Sequence, residues 1–152
     1  MEFEIPQALR LEHDGLHARL SAATREAGEV GETAREVARL LHPHFVREEE
    51  FALPPLGLLG ALSKGEVTPE MARVLTLTRR LKAELPHMLQ EHAQIVGALE
   101  KLRSAARTAG LAHYERFAHD LIQHAQTEEQ VLYPAALLVG ELVERSVEVA
   151  PG

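Results

Sequence analysis

Cysteine is absent from the 152 residues, which excludes disulfides, iron–sulfur clusters, cysteine-bound zinc and thiol nucleophiles. Aromatic residues make up only 4% and tryptophan is missing, while Ala, Leu, Glu and Arg dominate, a balance that favours helix over sheet. Basic residues are the minority, 16 against 23 acidic, and the formal charge of −7 argues against a nucleic-acid partner. No run approaches the roughly 18 apolar residues that suggest a membrane span. The opening MEFEIPQALRLEHDG is charged where a secretory leader would be apolar. The expectation is a cytoplasmic protein with no membrane partner. What is there, 45% hydrophobic and 26% charged residues, is globular in composition and short enough for one core. Residues 1–145 are expected to form a single domain, with 146–152 as a tail. Histidine is the surplus: nine occur, without a tag-like run.

Apolar residues recur at helical spacing almost throughout, and β-branched alternation is missing. Ile5 to about Ala27 reads as a first helix, ended near Gly28 and Gly31. Thr33 with Glu36 is a capping box for a second, running to about Leu53 before Pro54-Pro55. The Gly- and Pro-punctuated stretch LPPLGLLGALSKGEV is expected to be irregular. Thr68-Pro69-Glu70 opens a third helical segment that reaches Thr108, with a kink or break at Pro86. Gly110 ends it, and a fourth helix runs from Leu111 to about Arg145, bent late by Pro134. The reading is all-α: an up-down-up-down antiparallel four-helix bundle, with an extra helical segment (69–85) before the third core helix. That segment extends beyond the bundle, folds across its end as a lid, or serves as a dimer contact through Met71, Val74, Leu75 and Leu81, and the sequence does not choose; a monomer or a homodimer is expected.

An internal repeat carries the histidines. HFVREEEFALPP from His44 overlies HAQTEEQVLYPA from His124 at an offset of 80, matching His44 with His124, Glu48 with Glu128, Glu49 with Glu129 and Pro54 with Pro134. The other helices repeat at an offset of 79, matching Glu12-His13 with Glu91-His92. At about 100° per residue, Val37, Leu41, His44, Glu48 and Phe51 share one line, and so do Phe117, Leu121, His124, Glu128 and Val131. His13 falls among Leu9, Leu16 and Leu20, and His92 among Leu85, Leu89, Val96 and Leu99. Four His and two Glu therefore point at a core. Counting from the turns at about 1.5 Å per residue places each half's three groups within about 6 Å of one height.

Unpaired carboxylates in such an interior cost several kcal/mol, and two together repel or share a proton. A cation removes that cost. Imidazole with carboxylate suits Fe, Mn, Zn or Ni, and two Glu able to bridge with two His on each side suit a dinuclear centre.

At these residues the sequence resembles the hemerythrin-like family, the bacterial HHE cation-binding domains. The resemblance rests on Glu12-His13, His44-x-x-x-Glu48-Glu49 with its following Pro, Glu91-His92, and His124-x-x-x-Glu128-Glu129 ending in Leu132-Tyr133-Pro134, and spans residues 5 to 140. It implies two iron ions, oxo- or hydroxo-bridged, ligated by His13, His44, Glu48, His92, His124 and Glu128, with Glu48 and Glu128 as bridges. Mn, Zn or Ni are possible substitutes. It also implies that the protein binds, senses or handles oxygen, nitric oxide or peroxide, or buffers iron. Ferroxidase- or peroxidase-like turnover and a metal-free helical interaction bundle are the alternatives. Oxygen-carrying relatives use five His, with a pair four residues apart on the third helix; here Met88 and Val96 flank His92 at that spacing, and His17 is the candidate for a fifth nitrogen. Glu49, Glu50 and Glu129 read as a solvated face with a possible contact to His, and Glu12 and Glu91 as flanking residues. His42, His87 and His119 read as surface, Met88 as core and Tyr133 as rim packing. His113 falls on the buried face but about 16 Å from the cluster.

Overall fold

The computed structural model describes residues 3–149. Helix α1 spans Gln7–Thr24, and α2, Gly28–Arg47, continues into a wide π turn over Glu48–Ala52. A 3-10 turn (Pro54–Leu58), the short α3 (Leu59–Ser63) and a second 3-10 turn (Pro69–Arg73) lead into α4, Val74–Ala109. Helix α5, Ala112–Thr127, passes through another π turn (Glu128–Leu132) into α6, Tyr133–Val149, so that α5 and α6 form one rod. No strand occurs among the described residues. The expected all-α four-helix bundle is what forms, and no described helix is long and apolar enough to cross a membrane.

Several boundaries differ from the sequence reading, each for a local reason. The second helix starts at Gly28, not at Thr33. Gly28 takes a φ of 69°, which lets the chain reverse at once, and Gly31 leaves room for the Glu26 carbonyl, which a Cβ would strike. Thr33 is thereby inside the helix, its hydroxyl donating to the Glu29 carbonyl at 2.8 Å, and Glu36 pairs with Arg39 instead of capping. The stretch expected to be irregular is largely helical, because Leu56, Leu58 and Leu62 are buried and fix its turns against the bundle. Pro86 neither breaks nor ends α4, which runs through it for 36 residues. Gly110 ends that helix as expected: with φ at 72°, it lets Leu111 N–H reach the Ala106 carbonyl at 2.9 Å. Helix α6 continues through the segment from 146 expected as a tail, and residues 150–152 lie outside the described residues.

The core has three apolar layers. Nearest the α1–α2 and α4–α5 turns, Leu20, Val37, Leu41, Leu99, Phe117 and Leu121 pack together. Ile5, Phe51, Leu53, Leu81, Met88 and Tyr133 form a second layer. Beyond it, Leu58, Leu62, Met71, Val74, Val139 and Val143 form a third. Met71, Val74 and Leu81 of the extra segment are buried within the chain against α6 and the 54–63 segment, and Leu75 is partly buried there.

Candidate metal centre

Histidine and glutamate four residues apart lie on one helical face, so α2 carries His44 and Glu48 inward together, and α5 does the same with His124 and Glu128. His13 comes from α1 and His92 from α4. All six are buried, none exposing more than 6% of its surface. They meet between the first two apolar layers, in two groups whose ligand-type atoms converge: His44, Glu48, His92 and Glu128 in one, His13, His124 and Glu128 in the other. Glu128 belongs to both. One of its oxygens lies 3.3 Å from His92 Nε2, while the other lies 3.3 Å from His124 Nε2 and 3.6 Å from His13 Nε2. Glu48 turns one oxygen to His44 Nε2 at 3.3 Å. The level arithmetic from the sequence thus describes the observed convergence. His17, the candidate fifth nitrogen, is exposed and belongs to neither group.

Behind each imidazole stands a carboxylate. His44 Nδ1 faces Glu91 at 3.3 Å, and Glu91 is itself paired with Arg47. His92 Nδ1 faces Glu129 at 2.9 Å, His124 Nδ1 faces Glu12, and His13 Nδ1 looks toward Glu49 at 3.8 Å. The pairings follow the internal repeat: His13–Glu49 matches His92–Glu129, and His44–Glu91 matches His124–Glu12. A carboxylate on Nδ1 fixes the tautomer that leaves Nε2 free as a donor toward the interior. Glu49 and Glu129 thus do more than form a solvated face, and Glu12 and Glu91 do more than flank the stripe. Glu50 remains exposed.

Tyr133, expected at the rim, is instead fully buried at the centre, and its hydroxyl donates to Glu48 Oε2 at 2.9 Å. The cause is the π turn. Tyr133 N–H bonds to the Glu128 carbonyl, five residues back, and the extra residue rotates Tyr133 inward. The same turn leaves Val131 56% exposed, although regular helical spacing puts it in the buried stripe. Leu53 occupies the matching place in the first half, bonded to Glu48 O at 2.9 Å and buried. The available signal was the pair of prolines, Pro54 and Pro134, each six residues after its glutamate inside a continuing helical pattern. His42, His87 and His119 are exposed and Met88 is buried, as read; His113 is exposed, with Tyr114 buried in its stead.

The electrostatics of the cluster are those of a site built for positive charge. Burial, reinforced by the charge of Glu128, raises the Glu48 carboxyl well above its ordinary range. Burial acts the same way on Glu128, but the Glu48 carboxyl and the His124, His13 and His92 rings gathered around it outweigh burial and hold Glu128 well below that range. Burial and the neighbouring His92 push His44 down to about 3. Glu48 Oε1 and Glu128 Oε2 are buried without a hydrogen-bond partner. Orphaned carboxylate oxygens amid inward-facing imidazole nitrogens fit a pair of cations: the set is N/O only, Glu128 offers an oxygen to each side, and apolar layers close both ends.

The family model described as Hemerythrin HHE cation binding domain matches residues 5–136. No curated protein and no solved structure matches the chain.

Proposed function

We propose, because the chain belongs to the hemerythrin HHE cation-binding domain family, that this metal-binding protein holds two iron ions and binds oxygen, nitric oxide or peroxide at them. Residues 1–145 form one domain in this reading. In this reading His44, His92 and Glu48 would hold one iron and His13 and His124 the other, with Glu128 shared between the two groups. One observation carries the proposal: a buried glutamate presents its two oxygens to two separate sets of imidazoles.

When bound, the iron pair supplies redox-active Lewis-acid sites for a small ligand. The protein's part is to hold and to exclude. Glu91, Glu129 and Glu12 orient His44, His92 and His124 through their Nδ1 atoms, so that each Nε2 is available without rearrangement. Tyr133 holds a proton at its hydroxyl against Glu48 Oε2. Leu41, Leu99, Phe117 and Leu121 on one side, with Phe51, Leu53 and Met88 on the other, keep bulk water from the centre. Manganese, zinc or nickel meets the same donors and competes for the site.

Anaerobic reconstitution with ferrous iron tests the reading. The expected result is about two irons per chain, with near-ultraviolet and visible absorption developing when air is admitted. Purified protein that retains no metal after reconstitution refutes it.

A further inference from the structure

The first half of the internal repeat carries donor side chains that the second half lacks. Asp14 and His17 on α1 and His42 on α2 are matched by Ala93, Val96 and Ile122, none of which has a donor side chain. All three are exposed, so neither the core nor the buried centre requires them. With Glu49 they line a single pocket of about 220 Å³ between α1 and α2. Asp14 and His17 are three residues apart on one helix, and His42 and Glu49 seven apart on the other, so each pair shares a helical face. Phe45 and Val46 complete the wall, and no Lys or Arg lines it. An independent feature lies at the floor. His13, only 3% exposed, lines the same pocket, and its Nδ1 has no hydrogen-bond partner, Glu49 standing off at 3.8 Å. The Nδ1 atoms of His44, His92 and His124 each face a carboxylate within hydrogen-bond reach. A buried ring nitrogen left open beside two carboxylates and two imidazoles calls for a polar occupant.

We propose that this pocket is a separate site for a divalent first-row cation, held by Asp14, His17, His42 and Glu49, and that metal passes from it to the buried centre. The donor set is N/O only and carries two carboxylates, which suits such an ion. Among the described residues, no three of these side chains bring ligand atoms within 4.8 Å of one another as the inner groups do. The ion therefore keeps part of its water shell and is held exchangeably, as a loading station requires. Negative charge concentrated in a cleft without a basic neighbour also raises the local concentration of cations. His13 spans both places, with Nδ1 toward Glu49 and Nε2 3.6 Å from Glu128. The pocket site stands on its own residues; its loading role rests on the two-metal reading.

Manganese tests the site and cobalt the loading, both on the full chain. The centre is first filled with zinc, which manganese does not displace from N/O donors, and loosely held zinc is removed by desalting. Manganese titration followed by electron paramagnetic resonance should then show about one further ion per wild-type chain. The double variant His17→Ala/His42→Ala, changed at two exposed positions, should lose this ion and keep its zinc. Stopped-flow loading of metal-free protein with cobalt, read by its visible absorption, should be about ten-fold slower in the double variant at low salt, with unchanged final content. Asp14→Asn should also slow loading and reduce its dependence on ionic strength. His119→Ala, exposed outside the pocket, should load at the wild-type rate. No further manganese in wild type, or its retention in the double variant, overturns the site. A wild-type loading rate in the double variant overturns the passage to the centre. A wild type that holds no zinc refutes the two-metal reading instead, while the manganese count on the metal-free chain still judges the pocket.

Discussion

In the metal-free fold Glu48 and Glu128 cannot both carry charge, and the stability of the protein should record which of them does. Glu48 stays protonated in the fold well above 4.5, where the unfolded chain ionises it. His124 behaves alike: burial opposes its charge, but Glu128 and Glu12 outweigh burial and raise it above 6.5. Both groups therefore leave the fold holding more protons than the unfolded chain above pH 6.5, so stability falls as pH rises there. His44, pushed down to about 3, and Glu128, held well below 4.5, act in the opposite sense: below pH 4.5 the unfolded chain binds more protons, and stability falls with acidification. Between those limits Glu48 and His44 offset one another. Denaturant titration of metal-free protein across this range should give a plateau near pH 4.5–6.5 with a decline on either side, each unmatched proton contributing about 1.4 kcal/mol per pH unit. A steady rise in stability to pH 8 would contradict the charge assignment. If the six inner residues hold metal as proposed, single residues outside them should also matter for binding. Glu129→Gln leaves His92 without its anionic partner and should weaken metal affinity about 10- to 100-fold, measured by competition with a chelator. The exposed Glu50→Gln should not. At this scale the sequence was largely legible. His and Glu in an apolar stripe are conspicuous, and an offset shared by two copies removes accident. The Glu behind each His was less legible, because Glu12, Glu49, Glu91 and Glu129 each serve a ring on a different helix, and spacing along one helix says nothing about that.

Among the elements, the π turns decide what the centre contains. A wheel drawn at 100° per residue aims Val131 inward and Tyr133 outward, and the wide turn at Glu128–Leu132 reverses both. The one inner-cluster residue that sequence reading misplaced was therefore misplaced by a departure from helical regularity, not by an error about which residues are polar. Likewise the capping box at Thr33 had sound local chemistry but lost to the tight reversal at Gly28, since three short connecting residues, 25–27, already close α1 onto α2. Close helix approach makes a second element-scale prediction. Gly140 on α6 abuts Thr78 on α4, and a Cβ built there comes within 2.7 Å of Thr78 Cβ. Thr78 is buried and β-branched, so it cannot swing away. Gly140→Ala should cost about 1–3 kcal/mol, read as a lowered denaturation midpoint. Thr78→Ala in the same chain should recover part of that loss, because it removes the Oγ1 and Cγ2 atoms that clash while its own Cβ stays. If the double variant is no better than Gly140→Ala alone, α4 and α6 do not meet at this point.

For the molecule as a whole, the question is whether metal makes the fold or only completes it. Small zinc domains fold on metal because they lack an adequate core. Here three apolar layers are made by the chain's own side chains, two of them flanking the centre and the third binding α6 to the extra segment of α4. The bundle should therefore be folded when metal-free, with the unpartnered carboxylate oxygens as its weakest region. Metal that binds only the folded state then adds stability by mass action, about 2.7 kcal/mol at a free concentration 100 times Kd. For a domain of this length each kcal/mol raises Tm by about 2–4 °C, so each position saturated with iron or zinc should raise Tm by about 5–10 °C while leaving the far-ultraviolet circular dichroism unchanged. Glu128→Ala, which takes the shared carboxylate from both groups, should abolish the metal-induced rise altogether. His13→Ala should remove only the increment from one position. His119→Ala, exposed on α5, should keep the full rise. A metal-free chain that is unfolded, or a full rise in Glu128→Ala, would show that the apolar layers do not carry the fold in the first case and that Glu128 does not join the two groups in the second.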